Sequence, residues 1–166
     1  MKSTKRYIPT LRSTDYVSLI ANFAYRQNGC VPNRTQMQKM LFTCYGLYLS
    51  EYHRPPFTDD KPEAWLYGPV FPKSYSKYDE NAMPPKISEE YKKIWAEDPN
   101  VVNIVYTVAK SMSKMSATAL SRWTHHEESP WSDVGGHGLI SDESIKEYFE
   151  SGKWIADLKE TLAETD

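Results

Sequence analysis

Between residues 35 and 50 the apolar positions Met37, Met40, Leu41, Cys44, Leu47 and Tyr48 return with a helical period, and no other stretch constrains the fold as much. The stripe covers more than ~100° of a helix surface, which implies burial between several other elements. It predicts an inner helix, with Lys39 on the opposite side contributing to a basic face. Cys44 lies within the apolar run, where a thiol behaves as a small hydrophobe.

Further amphipathic helices are available to surround it. Tyr16, Leu19, Ile20, Phe23 and Ala24 share one face of a helix that begins near Ser13. Ser13 or Thr14 can cap it, Asp15 suits its positive end, and Asn28-Gly29 stops it, since both tolerate positive φ. A helix over residues 88–97 and a stronger one carrying Val101, Ile104, Val105, Val108, Ala109 and Met112 follow later. Ser116 caps a short helix with Ala117, Leu120 and Trp123. Ser141 caps another with Ile145, Tyr148 and Phe149, and a last helix carries Trp154, Ile155, Leu158 and Leu162.

Only residues 54–72 break the helical rhythm. Pro55-Pro56 halts the chain, Phe57 starts an extended piece, and Asp59-Asp60-Lys61-Pro62 reads as a turn. Ala64-Trp65-Leu66-Tyr67 favours a strand and Gly68-Pro69 closes it, which predicts a small β-hairpin or ribbon around residues 57–68. A short helix over 74–78, a Pro84-Pro85 loop, and loops at Ser129-Pro130-Trp131 and Gly135-Gly136-His137-Gly138 complete the reading. The fold class is mainly α: one compact multi-helix domain over residues 13–166, preceded by a basic arm at 1–12.

The bulk numbers agree with one folded domain. The chain has 166 residues, 40% hydrophobic and 25% charged, which excludes a disordered tract. Two cysteines, Cys30 and Cys44, form neither a disulfide scaffold nor a metal-type spacing. The first residues lead into no signal-peptide core, and no run approaches the ~18 apolar residues of a membrane span, so the expectation is a cytoplasmic protein without membrane association. Charge is uneven. Residues 1–50 hold seven Lys or Arg against one acid, whereas residues 141–166 hold eight acids against three lysines. Such asymmetry marks either a nucleic-acid face or two solvated ends of one domain.

Catalytic signatures are scarce. The polar cluster His125-His126-Glu127-Glu128 would place His125 and Glu128 on one face if its helix continued. Zinc needs three or four ligands, however, and the paired-histidine signature around a glutamate is missing. No Gly-x-Ser-x-Gly elbow, phosphate-binding glycine loop or activated cysteine is visible. The residues therefore imply no cofactor. Trp65 and Tyr67 before Gly68-Pro69 are the better candidates for a specific role, either as packed rings or as binding anchors.

In order along the chain, these pieces resemble the Panacea domain, the SocA-like or GepA-like phage-associated family. Its Leu-x-Lys-Leu-Leu-Tyr helix reads here as Met37-Gln38-Lys39-Met40-Leu41-Phe42. Its Ala-Trp-x-Tyr-Gly-Pro-Val segment is matched without gaps by Ala64-Trp65-Leu66-Tyr67-Gly68-Pro69-Val70. Leu120-Ser121-Arg122-Trp123-Thr124-His125, Pro130-Trp131 and Ile145-Lys146-Glu147-Tyr148-Phe149 match the rest. Methionines replace two helix leucines and Phe42 the usual tyrosine, swaps that conserve core volume.

The resemblance implies an antitoxin, with no assigned catalytic residues, that binds a cognate bacterial or prophage toxin directly. In SocA-like members it also implies delivery of the toxin to a cellular protease. Lys39, Trp65, Tyr67, Gly68, Pro69, Thr124, His125, Pro130 and Trp131 are then toxin contacts or the framework that holds them. Two rivals stand beside this reading. One is a DNA-binding autoregulator using the basic first 50 residues and the helix pair joined at Asn28-Gly29. The other is a metal-dependent enzyme using His125 and Glu128.

Overall fold

The computed structural model describes residues 11–97 and 99–164, so residues 1–10 of the expected basic arm lie outside the described residues. Its elements are α1 (Ser13–Asn28), α2 (Arg34–Tyr52), β1 (Glu63–Trp65), β2 (Gly68–Val70), α3 (Pro72–Lys77), α4 (Glu89–Glu97), α5 (Pro99–Met112), α6 (Ala117–Thr124), α7 (Pro130–Val134), α8 (Asp142–Glu150) and α9 (Lys153–Glu164). The fold is mainly helical, with a two-stranded antiparallel sheet.

Helix α2 is the axis of the domain. It packs against α1, α5, α6, α8 and β2, and every residue from Met37 to Gly46 is buried. The apolar stripe is therefore inward as expected, but Lys39 is not on an outer basic face: it is 1% exposed. A helix contacted from all sides has no solvent side, so the position opposite the stripe is interior too. Asn33 and Gln36 cap the start of α2 reciprocally, each side chain accepting from the other's backbone N–H at 2.8 Å.

The aromatic content is spent largely on this core. Tyr45, Phe57 and Phe71 form a mutual cluster with ring centroids 5.3–5.5 Å apart. Phe42 and Trp154 both meet the ring of Phe149 from α8. The same ring lies against Gly46: a Cβ built there would sit 2.1 Å from two of its carbons. Helices α2 and α8 thus approach at the one position of α2 that lacks a side chain. Burial also drives the Cys44 thiol strongly upward in pKa, which leaves it inert.

Several ends fall where the sequence places them. Gly29 takes a left-handed conformation (φ 77°) after α1, and Ser116 and Ser141 cap α6 and α8. The start of α1 differs: Asp15 accepts from the Arg12 N–H at 2.7 Å, while Ser13 bonds to Asp59 across the chain. Pro130 and Trp131 open the short helix α7 rather than a loop, with Ser129 capping it. Helix α9 is rotated from expectation. Leu158 is buried, whereas Ile155 and Leu162 are exposed and Asp157 and Thr161 face inward.

Candidate partner-binding site

The ribbon is shorter and later than its sequence suggests. Phe57 is a core residue, and the strands pair Glu63 with Val70, Ala64 with Pro69 and Trp65 with Gly68. Gly68-Pro69 thus lies inside β2 instead of closing the ribbon, and Leu66-Tyr67 forms the turn. The non-glycine residues with positive φ among those described are His53 and Glu128. Leu66 and Tyr67 therefore do not form the positive-φ turn that two-residue hairpins usually favour. Tertiary contacts supply the hold that local turn chemistry does not.

Those contacts come from the other motif residues. Trp131 donates from Nε1 to the Trp65 carbonyl at 2.6 Å, and its ring lies 3.8 Å from that of His125. His125 Nε2 faces the Leu66 carbonyl at 3.1 Å, while Nδ1 faces the Ser121 carbonyl. Carbonyls only accept, so a neutral imidazole serves one of them and a protonated ring serves both. Ser129 donates to the Thr124 carbonyl at 2.7 Å, holding α7 against the end of α6.

Beneath the turn the helix α2 motif takes over. Lys39 donates from Nζ to the Pro69 carbonyl at 3.3 Å, and Gln38 accepts from the Phe71 N–H at 2.7 Å. Gln38 also donates to Ser74, and the N–H groups of Lys73 and Ser74 reach Asp60. Gln38, Asp60 and Ser74 carry no signal in a single sequence, because each partner is distant in the chain. Burial lowers the Lys39 pKa to about 7.

Gly68 is where the pieces close on one another. Its φ is 119°, and a Cβ there would meet Thr124 Oγ1 at 2.5 Å and Lys39 Cε at 2.7 Å. Strain and overpacking add, so Gly68→Ala is expected to lower stability by roughly 2–4 kcal/mol, read as a drop in urea midpoint.

Of the nine motif residues, seven are thereby turned to structure: Lys39, Trp65, Gly68, Pro69, Thr124, Pro130 and Trp131; His125 holds the Leu66 carbonyl yet is exposed and lines the adjoining groove. Trp65 further donates to Glu63 at 3.0 Å and meets Tyr75 edge-on. Tyr67 differs. It is 64% exposed, beside Leu66 at 72%. Tyr67 also lines an open groove of about 600 Å³, whose wall includes Ala117, Ser121, Arg122, His125 and His126.

The His125/Glu128 face does not assemble. Helix α6 ends at Thr124 and Glu128 has a φ of 63°, so no continuous helix sets His125 and Glu128 on one face. Helix α2 is enclosed and cannot enter a DNA groove. Of the basic residues described before position 50, Lys39 is interior and Arg34 is engaged by the Tyr78 carbonyl and the Tyr75 ring, while Arg12 and Arg26 are exposed. No described helix is long and apolar enough to cross a membrane.

Fold and site together define a helical module that presents an apolar hairpin tip on a rigid support. The family model "Antitoxin SocA-like, Panacea domain" matches residues 37–132, more than half of the sequence, and the chain belongs to this family. The matched span begins in the Lys39 helix and ends just after Trp131. The chain is similar to Antitoxin SocA of Caulobacter vibrioides (strain NA1000 / CB15N), at 29% identity over 147 residues and 78% of each chain. No solved structure matches it.

Proposed function

We propose that this protein neutralises a toxin by binding it directly, with Leu66 and Tyr67 at the hairpin tip and Arg122 beside the groove as principal contacts. Membership of the antitoxin family carries the functional class. The location rests on exposure: the tip shows two large side chains to solvent while the Trp65 and Leu66 carbonyls are held from behind. Tyrosine and arginine on rigid supports are the residue types that dominate binding energy at protein interfaces. The remaining motif residues act as framework, so the same motif can serve relatives that meet different toxins. The reading needs no catalytic step, and it places the protein in the cytoplasm with its toxin.

The test is co-expression with the product of the adjacent reading frame, scored as rescue of growth. Leu66→Ser/Tyr67→Ala is expected to abolish rescue with a melting temperature within about 2 °C of the native protein, since exposed positions contribute little to stability. Trp131→Ala is expected to lower rescue and melting temperature together, because it removes the half-buried ring's contact with His125 and the hydrogen bond to the Trp65 carbonyl. Full rescue by the tip variant would contradict the assignment. Delivery to a protease is a separate step in this reading, and it predicts that the toxin's half-life in cells shortens only when this protein is present.

A further inference from the structure

Helix α9 turns a polar face inward, and the reason lies in a second cluster that no motif covers. Asp157 is buried at 6% exposure. One of its oxygens, Oδ2, accepts from Tyr148 Oη at 2.9 Å and from Lys153 Nζ at 2.8 Å. Burial and the bond to Asp157 hold the Tyr148 phenol well above its ordinary pKa, so it remains a donor. The other oxygen, Oδ1, points toward His126 Nδ1 at 3.8 Å, and Glu160 Oε1 lies 3.8 Å from the same nitrogen.

The protonation of His126 follows from its second nitrogen. Nε2 is 2.7 Å from Thr161 Oγ1, and that hydroxyl already gives its only proton to the Asp157 carbonyl at 2.9 Å. Thr161 can therefore only accept, so Nε2 carries the proton. In the neutral ring Nδ1 then holds a lone pair. Three lone-pair atoms, one nitrogen and two carboxylate oxygens, lie within 4.8 Å of one another. A cation among them, whether a proton on Nδ1 or a bound metal ion, offsets the repulsion between the two carboxylates.

We infer that His126, Asp157 and Glu160 bind one divalent transition-metal ion, for which zinc is the best-fitting probe. Imidazole with carboxylates suits zinc, and ligand atoms around a tetrahedral ion with ~2.0 Å bonds stand about 3.3 Å apart. Both carboxylates stand 3.8 Å from the His126 nitrogen, so closing to that spacing draws in the buried Asp157 side as well as Glu160, whose side chain is 63% exposed. The hydrogen bond that His126 gives to Thr161, and those that Asp157 accepts from Tyr148 and Lys153, would orient the ligands, as outer partners of metal-bound histidines and carboxylates commonly do. The cleft beside the site is further lined by Glu127 and Glu128, adding negative charge and room for water on the open side. His126 follows α6, whereas Asp157 and Glu160 lie one turn apart on α9. The ion would thus pin the last helix to the segment that holds the hairpin clamp.

Calorimetric titration of untagged full-length protein with zinc chloride, in a non-chelating buffer, tests this. One ion per chain is expected, with a melting temperature that rises as zinc is added. Glu160→Gln should weaken zinc binding at least tenfold and abolish the thermal shift while leaving the zinc-free melting temperature near native. His126→Gln should do the same to binding. No heat of binding at 100-fold excess zinc would overturn the inference. So would unchanged affinity in Glu160→Gln, which would assign the binding to other histidines or leave the cluster as a protonated His126 between two carboxylates.

Discussion

Gly46→Ala should destabilise this protein by roughly 2–4 kcal/mol, although alanine is the better helix former by about 1 kcal/mol. The position lies mid-helix in α2, and a Cβ there falls 2.1 Å from two carbons of the Phe149 ring. That ring cannot simply turn away, since Phe42, Tyr148 and Trp154 surround it. The helices must separate or the ring must leave its rotamer, and α2 with α8 is the most extensive helix pair in the domain. A fall of about 5–15 °C in melting temperature is expected for a domain of this size. The double variant Gly46→Ala/Phe149→Leu identifies the cause. It should be more stable than the sum of its single changes by at least about 1 kcal/mol, because the smaller side chain relieves the clash. Simple additivity would show that the glycine serves something other than this contact.

Lys39→Met should act in the opposite direction at neutral and acidic pH. The folded pKa of Lys39 is lowered to about 7 by burial, from 10.5. Above pH 10.5 the amine is neutral in both states and exacts no electrostatic cost. Between 10.5 and 7 the unfolded chain holds a proton that the folded protein does not, so stability falls as pH falls. Below pH 7 the loss is complete, on the order of 5 kcal/mol. Methionine removes that loss but leaves the Pro69 carbonyl without its donor, which costs about 1–3 kcal/mol. Urea unfolding should therefore find the variant more stable by roughly 2–4 kcal/mol at pH 6, with the gap closing or reversing by pH 10. A variant less stable than the native protein at pH 6 would mean that Lys39 has a charge partner in solution. What the lysine supplies in return is an amine that reaches the hairpin backbone at the Pro69 carbonyl, which methionine cannot do.

The contrast between these two sites shows how far the sequence could be read. Periodicity placed α2, α5 and α8 because each has an apolar stripe that packs locally. Caps at Asn28-Gly29, Ser116 and Ser141 are contained within a few residues, and the structure keeps them. Lys39 could not be placed, since a helical wheel shows which face is apolar but not that neighbours enclose the other face. Gly68-Pro69 looks like a strand end by composition, yet β2 runs through it because Lys39 and Gln38 reach it from 30 or more residues away. Helix α9 was phased on Ile155 and Leu162, and its true inner face carries Asp157 and Thr161 because Tyr148, Lys153 and His126 supply partners for them. The order of the motifs named the family. Their geometry then separated residues that hold the turn from the two that face outward.

That separation makes a strong claim about motif residues usually taken together. His125 and Trp131 form the back of the site: they hold the Leu66 and Trp65 carbonyls and leave the Leu66 and Tyr67 side chains exposed. A preformed tip loses little conformational entropy on binding, which raises affinity without enlarging the contact. Toxin recognition in this reading depends on what stands at positions 66, 67 and 122, while the clamp behind them holds the tip in place.

The most direct measurement is the affinity of purified protein for the product of the adjacent reading frame, taken with thermal melts of the same samples. The account predicts that Leu66→Ser/Tyr67→Ala loses at least 100-fold in Kd, about 2.7 kcal/mol, with its melting temperature unchanged. Native affinity in that variant would contradict it and move the toxin contact away from the hairpin tip.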